Sequence, residues 1–396
     1  VAALSTSGTA AVNFAPAVVE ARYGRVPLVV LTADRPPELR EVGALQTIDQ
    51  ARLYGSHVRW FCEMRLPEAT DAALRHVAVC AVRAVDTAVG PPPAPVHLNF
   101  PFREPLIPAF ERASSITVPI PEVIRSRRTP DEAAVQTLAE RLASAPRGLI
   151  VCGPQDDSRF PPAVARLARA LGWPLLADVL SGVRFGPHHT EDTLDAYDAF
   201  LRDDELADDL APDAILRFGA TPVSKPLQRY IERQANAAQV VVDDGDDWND
   251  PALVLGGMVR ATPAAACEAL ARALAGHTAS RETQAWAARW RALDRAAREA
   301  LTAALSEVDG VSEPSAAFAL ASALPEGATL FAGNSMPVRD LETCLPGGPQ
   351  PLRLLATRGA RGIDGVVSAA LGASAVSSGP LVLVVGDLSF YHDMNG

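Results

Sequence analysis

The sequence predicts an α/β protein made of three doubly wound parallel-sheet domains, the first and third of them incomplete. Short runs rich in Val, Leu and Ile alternate with longer amphipathic stretches along the 396 residues, which is the pattern of repeated βα units. A proline-rich stretch and a long helical segment rich in Ala and Arg divide these repeats into three blocks. The chain is long enough for each block to bury a core of its own.

The first block, residues 1–115, is predicted to begin with a strand at its first residue. Gly24 suits the end of the first helix, and the apolar run PLVVLT after it is typical of a buried strand. Prolines and charged residues without a sustained period predict an extended linker at 101–130. The predicted strands are 1–4, 27–32 and 96–100, and the predicted helices are 10–21 and 67–88.

The second and third blocks, residues 130–305 and 312–396, continue this alternation. For the second we predict strands at 148–152, 174–178, 214–218 and 239–243, with helices at 161–171 and 281–305. For the third we predict strands at 328–332, 352–356 and 380–385, with helices at 337–345 and 363–376. The third block holds half of a domain, and the first opens directly on a strand. Together these features predict a fragment cut at both ends.

The composition excludes several classes of protein. With 36 basic and 47 acidic residues the net charge is -11, which repels nucleic acid and anionic membrane surfaces. Uninterrupted apolar runs are too short for a membrane span. The five cysteines lie far apart without a CxxC pair, which predicts unpaired thiols in a reducing cytoplasm. An anionic substrate must therefore be bound by local arginines.

The segment Gly386-Asp387-Leu388-Ser389 directly follows an apolar strand near the end of the chain. Ligands of open α/β sheets bind at the carboxyl edge, where such a segment lies. Glycine allows a diphosphate to approach the backbone, Asp387 offers a hard carboxylate to Mg²⁺, and the following N–H groups can face phosphate oxygens. Taken alone, the segment is better explained as an ordinary strand-end turn.

A second polar segment, GNSMPVRD, follows the first predicted strand of the same block. The side chains of Asn334 and Ser335 can hold a polar or anionic ligand, and Arg339 lies in the first turn of the helix that begins there. Arg339 is otherwise an exposed charge, or forms an ion pair with a nearby acid such as Glu342 that adds little stability.

The third segment, TRGARGIDG, contains Arg358 and three glycines that bracket a turn between a strand and a helix. Turn chemistry alone explains glycines at such positions. Because the three segments follow successive strands of one predicted parallel sheet, we expect them to converge on the same edge. That convergence makes a ligand site there more credible than any one segment does.

In the first block, Arg35 follows the predicted buried strand 27–32 and is a natural bidentate partner for a carboxylate, although Asp34 can equally bind it. Gln46 lies in the segment ALQTIDQ, where its amide can donate to a substrate oxygen or remain solvated. The histidines share no ligand spacing, so zinc is not expected. The P-loop, GxGxxG and GxSxG patterns are missing from the sequence, which disfavours nucleotide hydrolysis, dinucleotide binding and serine hydrolysis.

Five segments taken in order carry a resemblance to a known family: TSGTAAVNFAPAVVEA, LTADRPPELREVGALQTIDQ, GNSMPVRD, TRGARGIDG and VVGDLSFYHDMNG. The chain resembles the 2-succinyl-5-enolpyruvyl-6-hydroxy-3-cyclohexene-1-carboxylate synthases (the MenD family), a branch of the thiamine-diphosphate enzymes. The wider family usually has Gly-Asp-Gly at its metal motif, so Leu388 in place of the second glycine favours this branch. The middle third of the chain supports the resemblance mainly by position and fold.

The resemblance implies a domain plan and an assembly. Residues 1–115 correspond to a pyrimidine-binding domain, 130–305 to a central domain and 312–396 to a diphosphate-binding domain. In such enzymes each active site is shared between two subunits, which implies a dimer or a tetramer. The implied location is the cytoplasm.

The resemblance also assigns roles to single residues. Asn13 is expected near the aminopyrimidine of thiamine diphosphate, and Ile363 is expected to support the bent cofactor. The stretch from Gly386 to Ser389, with Leu388, is expected to hold the diphosphate, and Asp387 is expected to bind Mg²⁺ or Mn²⁺. The expected substrate-binding residues are Arg35, Gln46, Asn334, Ser335, Arg339 and Arg358.

The implied reaction decarboxylates 2-oxoglutarate and adds the resulting succinyl carbanion equivalent to isochorismate, a step of menaquinone biosynthesis. Both substrates are dicarboxylates, and a protein of net charge -11 needs convergent arginines to hold them. The three arginines of the segments meet that need. The cofactor carries the hard chemistry, and the protein supplies positioning and electrostatics.

Two residues that the resemblance leads us to expect have no counterpart in the sequence. The glutamate that contacts the aminopyrimidine belongs upstream of residue 1, and the second side-chain metal ligand belongs beyond Gly396. We therefore expect the isolated chain to be inactive. Two alternatives stay open: another thiamine-diphosphate decarboxylase or carboligase, such as an acetohydroxyacid synthase relative, and a non-catalytic α/β binding protein.

Overall fold

The structure is a computed structural model that describes residues 1–107 and 118–396. The chain divides into two compact units, of which the first comprises Val1–Ser126 with Thr357–Asp364 and the second Arg127–Ala356 with Gly365–Gly396. The predicted first boundary, at residue 115, and part of the predicted linker lie outside the described residues. The division into three domains stays a prediction.

The first unit is built around a parallel β-sheet. Its strands are β1 (Ala2–Ser5), β2 (Leu28–Asp34), β3 (Trp60–Glu63) and β4 (Pro95–Pro101), and its helices are α1 (Thr9–Val12), α2 (Ala15–Tyr23) and α3 (Asp71–Val89). The four strands are hydrogen-bonded in the order β1-β2-β4-β3, all parallel. Their carboxyl ends therefore share one edge of the sheet.

Helices α1 and α2 replace the single helix predicted at 10–21. Pro16 has no N–H to donate to the carbonyl of Val12, so one helix cannot continue across this point. It lies instead in the first turn of α2, where an N–H needs no intrahelical partner. Asn13 ends α1, and its backbone N–H donates to the Thr9 carbonyl at 3.2 Å. Gly24 ends α2 as predicted.

The second unit contains a six-stranded sheet that includes the strands predicted for the second block. Its strands are β5 (Gly148–Cys152), β6 (Leu175–Ala177), β7 (Thr193–Leu194), β8 (Ala214–Phe218), β9 (Ala238–Val242) and β10 (Gly257–Val259). The helices around it are α4 (Glu132–Ala143), α5 (Phe160–Leu171), α6 (Tyr197–Phe200), α7 (Asp204–Asp209), α8 (Lys225–Arg233) and α9 (Pro263–Ala273). The six strands are parallel in the order β10-β9-β8-β5-β6-β7, so the strand order reverses at β5 as in a doubly wound sheet.

The second unit also contains a three-stranded parallel sheet with the order β12-β11-β13. Its elements, with the long helix that precedes them, are α10 (Arg281–Ser306), α11 (Glu313–Ala323), β11 (Thr329–Ala332), α12 (Met336–Cys344), β12 (Arg353–Ala356), α13 (Val366–Ser374), β13 (Leu381–Val384) and α14 (Asp387–His392). Every strand and helix predicted for the third block is present within a few residues. The α/β class and the parallel sheets are therefore confirmed.

Apolar side chains fill both faces of the six-stranded sheet and link it to the three-stranded sheet. One cluster centres on Trp173 and another on Trp290, both fully buried. A third cluster joins Val338 and Leu341 of α12 to Val179, which follows β6. Helix α12 is thus packed into the interior of the second unit. In the part of the chain that the structure describes, no helix is both long and apolar enough to cross a membrane.

Candidate active site

In the first unit, the turn after β1 is bound by two glutamines from the segment ALQTIDQ. The N–H of Gly8 donates to Gln50 Oε1 at 2.7 Å, and Ser7 Oγ donates to the carbonyl of Gln46 at 3.0 Å. The side-chain amide of Gln46 donates back to the Ser7 carbonyl at 3.0 Å. Gln46 adopts a left-handed conformation with φ 56°, which is uncommon for a residue other than glycine. The predicted residue Gln46 therefore lies against the turn that leads to Asn13.

Arg35 follows β2 at the same edge of the sheet. Its backbone N–H donates to Asp34 Oδ1 at 2.7 Å, while the other oxygen of that carboxylate binds Arg40 Nη2 at 2.7 Å. The Arg35 guanidinium makes one long hydrogen bond, from Nε to the Leu45 carbonyl at 3.4 Å. Among the described residues it forms no ion pair, so Asp34 does not neutralise it. Arg35 retains the charge that a substrate carboxylate would need.

A buried polar network beneath these residues was missed by sequence reasoning. Asn99 Nδ2 donates to Asp34 Oδ2 at 2.8 Å and to Glu63 Oε2 at 2.9 Å, while its Oδ1 accepts from Thr32 Oγ1 at 2.7 Å. Gln50 Nε2 also donates to Asn99 Oδ1, at 2.9 Å. The network links the carboxyl ends of β2, β3 and β4. These bonds join residues far apart in sequence, so no local signal reveals them, although Gln50 belongs to the segment that drew attention to Gln46.

His97 lies at the apolar end of this network. Its Nε2 is 2.8 Å from Thr32 Oγ1, and since that hydroxyl gives its proton to Asn99, Nε2 must be the protonated ring nitrogen. The opposite nitrogen, Nδ1, is buried without a hydrogen-bond partner among the described residues. Burial lowers the pKa of His97 to about 4, so the ring is neutral at physiological pH. His97 supports the sheet edge and carries no charge there.

The turn of residues 357–364 belongs to the first unit and contains two predicted site residues. Glu20 of α2 accepts the N–H groups of Gly359 and Ala360, both at 2.7 Å. A Cβ on Gly359 would lie 2.3 Å from the Glu20 carbonyl oxygen, so only glycine permits this approach. Arg358 is half-buried directly before the contact, and Ile363 is exposed. Glu20 is therefore a residue that holds the predicted arginine-bearing turn; it lies in the first of the five segments that carry the resemblance, but the resemblance assigned it no role.

In the second unit, the turns after β11 and β13 meet at the carboxyl edge of the three-stranded sheet. The Gly333 N–H donates to the Val384 carbonyl at 2.7 Å, which joins the turn after β11 to the last residue of β13. Asn334 is buried with 2% of its surface exposed, and Ser335 has φ 70° at the start of α12. A positive φ is uncommon for a residue other than glycine and occurs most often at functional sites, so this turn is a candidate ligand site.

The segment Gly386–Ser389 lies at the same edge and fits a metal-bound diphosphate. A Cβ on Gly386 would meet nothing within 4 Å, so the backbone there faces open space. Asp387 is exposed, with Oδ1 accepting the Leu388 N–H at 2.8 Å, which leaves Oδ2 for a cation. Ser389 is buried beneath them. An open glycine, an accessible carboxylate and helix-start N–H groups are what a magnesium diphosphate requires.

Arg339 is exposed in the first turn of α12, where Nη1 lies 3.9 Å from Met336 Sδ. The alternative that it pairs with Glu342 does not hold, because Glu342 is buried and binds Arg184 at 2.9 Å. The three predicted segments of the third block are thus divided: two form one edge in the second unit, and the third belongs to the first unit.

A cavity in the second unit does not coincide with these turns. It measures about 510 Å³ and is lined by Arg291, Arg298 and neighbouring residues of α10. Arg291 binds Asp192 and Arg298 binds Asp195, both at 2.5 Å, so these two guanidinium charges are already neutralised. Because these two arginines are already paired, the cavity is a weaker candidate for the active site than the sheet edges. Among residues 1–107 and 118–396, no cluster of three or more His, Cys, Asp or Glu suited to a metal is present.

Comparison with known proteins identifies related families. A family model described as "Middle domain of thiamine pyrophosphate" matches residues 124–332, and one described as "Thiamine pyrophosphate enzyme, N-terminal TPP binding domain" matches residues 1–53. The 2-succinyl-5-enolpyruvyl-6-hydroxy-3-cyclohexene-1-carboxylate synthase of Geobacillus kaustophilus (strain HTA426) is 52% identical across 100% of this chain and 68% of its own length. Enzymes of the same name from Geobacillus thermodenitrificans (strain NG80-2) and Chloroflexus aurantiacus (strain ATCC 29366 / DSM 635 / J-10-fl) are 50% and 46% identical, each across 100% of this chain and 67% of the relative.

Proposed function

The chain belongs to the 2-succinyl-5-enolpyruvyl-6-hydroxy-3-cyclohexene-1-carboxylate synthase family of thiamine-diphosphate transferases, and from this premise we propose how its residues serve the reaction. The proposed activity is the decarboxylation of 2-oxoglutarate and the addition of the succinyl unit to isochorismate in menaquinone biosynthesis. One observation carries the site assignment: the Gly333 and Gly386 turns follow the neighbouring parallel strands β11 and β13, and the Gly333 N–H donates to Val384 at the end of β13 at 2.7 Å.

The second unit would hold the diphosphate end of the cofactor. Asp387 would bind Mg²⁺ or Mn²⁺ through its exposed carboxylate, and the N–H groups that follow Gly386 would receive phosphate oxygens. When bound, thiamine diphosphate supplies the carbon nucleophile and the electron sink for decarboxylation. Asn13 would lie near the aminopyrimidine, and Ile363 would support the cofactor's bent shape. These roles follow the domain plan of the family.

The arginines would bind the substrate carboxylates. Arg35 keeps its charge because Asp34 is occupied by Arg40, and Arg339 is exposed at the start of α12. Arg358 follows β12 in a turn held by Glu20. A guanidinium binds a carboxylate through two parallel hydrogen bonds, which fixes orientation as well as affinity. Three such groups suit two dicarboxylate substrates.

Amide and hydroxyl groups would complete the substrate contacts. Asn334 is buried beside Ser335, so its amide is fixed in direction before any ligand arrives. Gln46 bonds to the turn after β1, and its side chain would exchange one of those bonds for a substrate oxygen. Preorganised donors of this kind lower the reorganisation that accompanies reaction.

An acetohydroxyacid synthase-like alternative is less well supported. Some such enzymes also bind a flavin in the central domain. Doubly wound sheets bind ligands where the strand order reverses, which here is between β5 and β8. The loops at that point touch: the Ala220 N–H donates to the Pro154 carbonyl at 2.9 Å, and a Cβ on Gly153 would lie 1.8 Å from the Ala220 oxygen. Backbone therefore fills the crevice that a nucleotide would enter.

We further propose a homodimer or tetramer in the cytoplasm. The proposal of an assembly rests on the family plan, in which two subunits share each active site. The cytoplasmic location is supported by the thiols of all five cysteines, which are free and mostly buried, as suits a reducing compartment. Sedimentation of the active full-length protein as a monomer would refute the assembly.

The test of the activity is substrate choice by the full-length protein with thiamine diphosphate and Mg²⁺. We expect product from 2-oxoglutarate with isochorismate, and little or no turnover of pyruvate. Formation of the adduct is followed by loss of isochorismate absorbance and by mass spectrometry, and turnover of each 2-keto acid is followed by its own disappearance. Turnover of pyruvate without formation of the adduct would favour the acetohydroxyacid synthase-like alternative. Failure with every 2-keto acid would favour a non-catalytic binding protein.

A further inference from the structure

The C-terminal end of α12 is bound by a fully buried cluster of Arg184, Tyr197 and Glu342. Glu342 Oε2 accepts from Arg184 Nη2 at 2.9 Å and from the Val179 N–H at 2.7 Å. Its Oε1 accepts from the Tyr197 hydroxyl at 2.5 Å. None of the three side chains of the cluster is more than 1% exposed. The carboxylate is thus satisfied by donors from the loop after β6 and from α6.

Arg184 also binds the backbone at the end of the helix. Its Nη1 donates to the carbonyl of Glu342 at 2.8 Å and to that of Leu345 at 3.4 Å. The last carbonyls of a helix lack intrahelical partners and carry partial negative charge, which an arginine offsets. Nε and Nη2 of Arg184 donate to the Ala177 carbonyl at 3.0 and 2.7 Å. One guanidinium therefore joins the end of β6 to the end of α12.

Neighbouring residues strengthen this attachment. Thr343 Oγ1 donates to Asp198 Oδ2 at 2.8 Å, and the Gly347 N–H donates to Asp195. Asp198 is itself held by Ser224 Oγ at 2.6 Å. The side chains and backbone of residues 342–347 are consequently fixed to the six-stranded sheet and its helices, while the opposite end of α12 opens on the Asn334 turn.

A buried ion pair is weak support for a stabilising role. Removing two charges from water is costly, and apolar replacements of similar volume are often as stable or more stable. Burial raises the pKa of Glu342, which expresses the same cost. Such a cluster contributes a defined geometry rather than stability. Unlike apolar contacts, its hydrogen bonds specify one rotation and one axial position of α12.

We propose that Arg184, Tyr197 and Glu342 are positioning residues: they fix α12 so that Asn334, Ser335 and Arg339 at its other end are set for the substrate. The inference rests on the proposed function, because those three residues are its proposed substrate contacts. Helix α12 transmits the constraint as a rigid body, with Val338 and Leu341 buried along its length. None of the cluster residues touches the substrate itself.

The test compares two conservative variants of the full-length protein loaded with thiamine diphosphate and Mg²⁺. Tyr197→Phe removes the bond to Glu342. Tyr230→Phe is the matched control, because Tyr230 is equally buried and donates to the Leu210 carbonyl at 2.6 Å, away from α12. We expect similar losses of thermal stability. Only Tyr197→Phe should raise the KM for 2-oxoglutarate, by about 3- to 10-fold, with kcat changed less than about twofold.

A second measurement reports on α12 without turnover. Hydrogen exchange of the peptide amides of residues 335–341 should accelerate in Tyr197→Phe and stay at the wild-type rate in Tyr230→Phe. If the wild-type protein makes no product, the proposed function fails and the exchange arm still decides the positioning role. An unchanged KM together with unchanged exchange in Tyr197→Phe overturns the inference. Equal effects of the two variants overturn it as well, since they would reflect general stability.

Discussion

At the scale of single residues, the predicted substrate contacts depend on polar residues that the sequence did not reveal. Arg35 was recognisable because it follows an apolar strand, and the same argument applied to Asn334 and Arg339. Their supports were not recognisable. Asn99 reaches Asp34 across 65 residues of sequence, and Glu342 reaches Arg184 across 158. Sequence patterns relate residues that are close together in the chain. Hydrogen bonds between distant residues become necessary only when folding has buried their polar groups, so the sequence does not show them.

His97 provides a prediction at this scale. Its pKa is about 4 in the folded protein and near the ordinary value of 6.5 when unfolded, so between these pH values the unfolded chain binds more protons. The neutral His97 ring contributes about 3 kcal/mol to the free energy of unfolding. This contribution is complete above pH 6.5 and is lost as the pH falls through 4. We expect the exchange protection of β2 and β4, corrected for intrinsic rates, to fall over this range.

His97→Gln is the matched variant, because glutamine can still donate to Thr32 but does not titrate. Its protection should fall less steeply between pH 6.5 and 4 than that of the wild-type protein. Equal slopes for the two proteins would show that His97 is already charged or solvated in the folded state, and the assigned tautomer would be wrong.

At the scale of elements, the sequence predicted every central strand of the described sheets and three edge strands, β1, β12 and β13. The strands β3, β7 and β10 were missed, and each lies at an edge of its sheet. An edge strand is covered less completely, so it needs fewer consecutive apolar residues. The helix predicted at 10–21 was broken because Pro16 interrupts the hydrogen-bond ladder. The apolar period alone did not predict this break in the helix.

Gly359 and Gly372 test how elements are held together. A methyl group on Gly359 would collide with the Glu20 carbonyl and displace the Arg358 turn, so Gly359→Ala should raise the KM for 2-oxoglutarate about 10-fold or more. Gly372 lies within α13 with nothing within 4 Å of an added Cβ. Gly372→Ala should leave KM unchanged and stabilise the protein by about 0.5–1 kcal/mol.

Steady-state kinetics and thermal unfolding of both variants check this pair. A normal KM in Gly359→Ala would mean that the turn tolerates the displacement, and that Glu20 does not set the position of Arg358. A loss of stability in Gly372→Ala would contradict the open surroundings of that glycine.

At the scale of the whole molecule, the family, the cofactor class and the α/β architecture could all be predicted from the sequence. Parallel βα units and five ordered segments were sufficient, since each segment follows a strand whose place in the chain is readable. The grouping of residues 357–364 with the first unit could not be predicted. That segment follows β12 in sequence, and only tertiary contacts with Glu20 determine where it packs.

We propose that the Gly386–Ser389 turn holds a metal-bound diphosphate through Asp387. The most direct measurement is calorimetric binding of thiamine diphosphate to the full-length protein across a series of Mg²⁺ concentrations. Asp387→Asn should weaken binding at least about 30-fold and reduce its dependence on Mg²⁺. Asp208→Asn, which removes an exposed carboxylate paired with Arg233, is the control and should bind normally. Wild-type affinity and Mg²⁺ dependence in Asp387→Asn would contradict the account.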